Sequence, residues 1–122
     1  MTTHATVSIH IETTDALSRL YLFLAQAMDR ALDEKARGRA DESELDANFA
    51  GARSIALELL SVNRVVRDKV EAECNRIRSL IEACLKGGAS QMALVEALKT
   101  ERGIVKQKTM VLSDLLAVFR AA

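Results

Sequence analysis

The side chains in this chain that can do chemistry are few, and their spacing suits none of the common sites. Its two histidines, His4 and His10, precede the first strong helical pattern. Phosphotransfer domains instead present a reactive histidine from one of their helices. Di-iron helical proteins need inward-facing Glu-x-x-His pairs, and the chain contains none. Cys74 and Cys84 stand ten residues apart in one predicted helix. That places them about 15 Å apart along its axis, too far to bridge each other. Neither has the Cys-x-x-Cys spacing or the nearby histidine of a zinc site. Both fall on an apolar stripe, so buried, reduced thiols are expected.

Glu71 with Glu73 and Asp41 with Glu42 are the closest carboxylate pairs considered for acid–base work. On a helix such short spacings point the side chains in different directions. Lys86-Gly87-Gly88 lacks the Walker pattern of a phosphate loop and reads as a helix stop. Arg64, Arg67, Arg76 and Arg78 alternate with Asp68, Glu71 and Glu73, as on the charged flank of a helix-pairing surface. No catalytic, cofactor-binding or metal-ligating residue is assigned on these grounds, and no cofactor is expected.

Composition narrows the partners. Seventeen Lys and Arg cancel seventeen Asp and Glu, so the basic excess that phosphate contacts require is absent and nucleic acid is disfavoured. Aromatic residues are 3% of the chain and tryptophan is missing, which leaves little for base stacking or an aromatic ligand groove. The opening MTTHATVSIHIETTDA lacks the basic start and apolar run of a secretion signal. No stretch approaches the eighteen or more apolar residues of a membrane span. A cytoplasmic, soluble chain is the expectation, with no membrane partner and no small molecule identified.

The elements that must position these residues are helices. Proline is absent and there are five glycines in 122 residues, a length that suits one domain. Residues 1–12 alternate, with Val7, Ile9 and Ile11 on one side, which is the period of a strand. They are read as an N-terminal arm preceding a single helical domain at 13–122. The first helix is expected from an N-cap at Thr13 or Thr14 to about Arg37, with Leu17, Leu20, Leu24, Met28 and Ala31 inward and Gly38 as its stop. A second stripe runs from Leu45 through Leu59, Val62, Val66, Val70, Ile77 and Cys84 in steps of three or four. It predicts one continuous helix from a cap at Ser43 to Lys86, ended by Gly87 and Gly88. The third helix is expected from a cap at Ser90 to about Arg120. It carries Leu94, Leu98, Val105, Leu112, Leu115 and Phe119, with Ile104, Val111 and Val118 beside them, and Gly103 marks a kink or a close crossing.

A helix over 43–86 would be about 66 Å long, whereas a compact chain of this size has a radius of gyration of about 14 Å. The fold class that follows is all-α: an antiparallel bundle of three long helices, the central one longest, closed as a dimer. The alternative breaks the central helix near Ser61–Arg64 and closes as a monomeric four-helix bundle. The expected interface is Leu59, Val62, Val66 and Val70, with Val7, Ile9 and Ile11 added by the arm. Functionally the pattern predicts a non-enzymatic protein–protein interaction module: an oligomeric scaffold, a small chaperone or a regulatory adaptor. Its partners would be a second copy of itself and another helical protein. The alternatives are a DNA-binding regulator, which would need a shorter and more basic recognition helix, and a small all-helical enzyme whose arginines hold an anionic metabolite.

Overall fold

The computed structural model describes residues 2–39, 43–87 and 92–121, with 2–9 and 43–45 described by backbone alone. Four helices account for almost all of them: α1 (Thr2–Ala36), α2 (Ser43–Val62), α3 (Arg64–Lys86) and α4 (Met92–Ala121). None of them is long and apolar enough to cross a membrane. The proposed caps at Ser43 (its side chain) and Ser90 lie outside the described residues.

The glycine stop at the end of α1 is where it was expected. Gly38 takes φ +70°, a left-handed conformation that favours glycine. The Gly38 amide donates to the Lys35 carbonyl at 3.1 Å and the Arg39 amide to the Glu34 carbonyl at 2.8 Å. This reciprocal pair satisfies carbonyls that the last turn leaves open. Gly87 ends α3 in extended conformation, its amide donating to Ala83 at 3.0 Å. Its own carbonyl accepts from the Lys35 ammonium, which ties the end of α3 to the end of α1.

The continuous central helix is not found; the chain has the four-helix count of the alternative. Asn63 alone leaves helical geometry, at φ −152° and ψ 92°. The cost is small because few hydrogen bonds are lost. The Asn63 amide still donates to Leu59 at 2.7 Å, its carbonyl already accepts from Arg67 at 3.0 Å, and its side-chain oxygen accepts from the Val66 amide at 3.2 Å. Asn63 thus completes one helix and caps the next. With the break, α2 and α3 are about 30 and 35 Å long, and the length argument for a dimer lapses.

The extended arm is also corrected. Residues 2–12 belong to α1, and Thr13 and Thr14 are buried inside the helix rather than capping it. The partner is α4: the His10 ring stacks on Phe119 at 6.0 Å and Arg120 reaches Asp15 at 3.7 Å. Val7 and Ile11 are four apart, so the residues that alternate also satisfy a helical period. The two buried threonines hide that period from a hydropathy reading.

Cross-helix pairs fix the directions. Arg19 meets Glu58, and Asp15 and Asp29 meet Arg120 and Arg102, so α2 and α4 run antiparallel to α1. Tyr21 meets Glu73 and Lys35 meets Gly87, so α3 runs parallel to α1. Among the described residues α1 and α3 each touch all three other helices, whereas α2 and α4 do not touch. The core between them is the predicted stripe: Leu20, Leu24, Met28, Leu59, Ile77, Ile81, Leu98 and Val105 are fully buried. α1 and α2 approach closely at Gly51, where a Cβ would lie 2.8 Å from the Phe23 ring.

Gly103 is not a close crossing. α4 runs through it, and no described atom lies within 4 Å of where its Cβ would stand. Gly103→Ala is expected to stabilise the protein by about 1 kcal/mol by raising helix propensity. Asn63→Ala is expected to destabilise it by about 1 kcal/mol through loss of the cap. Urea unfolding followed by circular dichroism measures both; equal or reversed signs would contradict these assignments.

Candidate functional site

Among the described residues, three places combine exposed or polar groups in arrangements that could serve a function. The first is the outer face of α4. One row of this helix, Leu98, Val105 and Leu116, is buried, with Leu112 packed partly against the core. The neighbouring row, Ile104, Val111, Leu115 and Val118, is exposed. Its steps of seven, four and three are those of a helix-pairing seam. Beside it an apolar groove of about 480 Å³ opens between α4 and α1, lined by Leu17, Tyr21, Ile104, Lys108, Val111 and Leu112.

The second is a polar junction of three helices under that groove. Glu73 of α3, its side chain 16% exposed, accepts a 2.7 Å hydrogen bond from the Tyr21 hydroxyl of α1 and pairs at 3.0 Å with the Lys108 ammonium of α4. Lys108 also lies 5.4 Å from the centre of the Tyr21 ring, in cation–π range. Burial, and after it the hydrogen bond and charge of Glu73, hold the Tyr21 phenol well above its ordinary range. A neutral phenol donating to a carboxylate is a tie between helices, and its pKa lies far from where a proton-transfer catalyst at neutral pH would need it.

The third is the groove between α2 and α3, where Arg53, Arg67 and Arg78 meet Cys74 and Phe49. Burial, and then the charges of Glu73 and Glu71, push the Cys74 thiol up to about 11, so it is not an activated nucleophile. Cys84 is fully buried and its thiol is likewise raised by burial. Both cysteines are free. No group of three or more His, Cys, Asp or Glu able to hold a metal occurs among the described residues.

The expected interface residues whose side chains are described divide between the core and its margin. Leu59 and Val70 are buried in the protein's own core, so neither remains for a partner. Val62, Val66 and Ile11 are half-buried. Val7 and Ile9 lie in α1, with their side chains outside the described residues. Ile104, Val111 and Val118 stand in the sequence as apolar positions beside the core stripe, whereas Leu115, expected on that stripe, is exposed. Which of two adjacent rows faces inward is set by the packing angle against α1, and periodicity does not encode that angle.

No protein-family model, curated protein or solved structure matches the chain.

Tyr21 is the single tyrosine. Its raised folded-state pKa means that its contribution to stability is complete below the unfolded value of about 10 and declines as pH rises from there through the folded value. Thermal melts from neutral to strongly alkaline pH should show a steeper loss above about pH 10 in wild type than in Tyr21→Phe. At neutral pH that variant should be less stable by about 2 kcal/mol, the scale of a hydrogen bond to a charged group. Parallel alkaline curves would remove the junction from the account.

Proposed function

We propose that the protein is a helical protein–protein interaction module that pairs with a second copy of itself through the outer row of α4. The observation carrying this reading is the exposure of Ile104, Val111, Leu115 and Val118 in a continuous row on a helix whose other apolar row is already buried. A row of this kind along about 21 Å of helix is costly to leave in water and common at association sites.

The row suits a two-fold contact. Ile104 and Val118 lie seven residues to either side of Val111. Two α4 helices meeting antiparallel about Val111 would set Ile104 of one copy against Val118 of the other, apolar against apolar at both ends. The groove beside the row would receive side chains from the facing helix in the manner of a hole receiving a knob. Chemistry at the Tyr21–Glu73–Lys108 junction has less support, because its groups satisfy one another. The scaffold, chaperone and adaptor roles share this contact, and self-pairing is the form argued from the residues at hand.

Light scattering coupled to size exclusion over a range of concentrations tests the reading. The expected mass is twice 13.4 kDa, and Val111→Asp should weaken pairing by at least about tenfold while preserving helicity, since Val111 is 51% exposed in the single chain. A monomer at every concentration would overturn self-pairing and direct the search to another helical protein as occupant.

A further inference from the structure

The α2–α3 groove carries an inference independent of α4, since no residue of α4 lines it. Arg53, Arg67 and Arg78 bring three guanidinium groups to its walls, and Glu71 is the one carboxylate among its lining residues. The lining itself has two more positive charges than negative, and three carboxylates beyond it, Asp68, Asp46 and Glu82, pair with Arg67 and Arg78. Apolar surface from Phe49, Ala56 and Cys74 completes it.

The arginines are held but not used up. Arg67 bonds through Nη1 to Asp68 at 3.1 Å and Glu71 at 2.7 Å, while its Nε is buried without a hydrogen-bond partner among the described residues. A buried donor without an acceptor is costly, and a small shift of the guanidinium toward an incoming oxygen would relieve it. Arg53 is exposed and has no hydrogen bond or ion pair among the described residues, yet its charge reaches the Cys74 thiol and opposes the upward push of burial there. Arg78 lies over the Phe49 ring at 5.2 Å and is steadied from outside the groove by Asp46 and Glu82. A planar guanidinium fork fits carboxylate or phosphate oxygens in pairs. The cavity is about 190 Å³, the room of about six water molecules, so its occupant is small.

We propose that the α2–α3 groove binds a small oxyanion carrying two negative charges, a dicarboxylate or a phosphate, with Arg53 and Arg67 gripping the oxygens and any carbon skeleton lying against Phe49 and Cys74. Arg78 supplies the third positive charge.

Isothermal titration of the full chain with succinate and with inorganic phosphate, at fixed ionic strength against a chloride control, tests this and separates a dicarboxylate from a phosphate ligand. One-site binding of either anion is expected, weakened about tenfold in Arg53→Gln and unchanged in Arg37→Gln, an exposed arginine outside the groove. Saturating anion should also slow alkylation of Cys74 in the wild-type protein. Absence of heat from both anions at millimolar concentration overturns the proposal. So does equal weakening by the two arginine variants.

Discussion

The fold turns on one residue in which a helix ends and the next begins. Asn63 keeps the hydrogen bond that closes α2, supplies the carbonyl that opens α3, and offers its side chain to the Val66 amide. Because the ladder is nearly unbroken, the reversal costs little more than a change in one pair of backbone angles. Its effect is large. α3 returns alongside α1, so Leu59 on one side of the corner and Val70 on the other enter the same core. Without the corner, the apolar face of residues 43–86 would extend past anything the rest of one chain could cover.

Once α3 lies beside α1, charge can fix how the helices slide and turn against each other. Arg19–Glu58, Arg76–Glu101 and the double contact of Asp29 with Arg102 and Lys106 are largely surface pairs, each worth little to stability. Their use is in register, since each links a specific turn of one helix to a specific turn of another. Glu73 differs. It is largely buried and receives both a phenol and an ammonium, so removing either partner would leave an unmet group in a poorly solvated place.

Much of this is legible in the sequence. The inward stripes of Leu20, Leu24, Met28, Ile77 and Ile81 were visible in the spacing, and Gly38 and Gly87 mark stops because glycine suits the positions where helices end. The corner was hidden because the stripe keeps its phase through Val62 and Val66, and asparagine inside a helix is unremarkable by propensity. Thr13 and Thr14 misled in the opposite sense, since polar residues at buried positions look like a boundary. The candidate sites were the least legible. The arginine groove joins Arg53 of α2 to Arg67 and Arg78 of α3, and only the reversal at Asn63 sets those helices face to face.

The placement of Tyr21 gives the molecule a built-in optical reporter. There is no tryptophan and no second tyrosine, so ultraviolet fluorescence from the folded chain comes almost wholly from the point where α1, α3 and α4 meet. α2 contributes about a fifth of the helical backbone signal in the far ultraviolet yet carries no residue that this emission would see. The two spectroscopies therefore look at different parts of one fold. If their unfolding curves coincide, all four helices melt as one cooperative unit, whereas helical signal lost ahead of the emission is loosening away from the three-helix junction, α2 included.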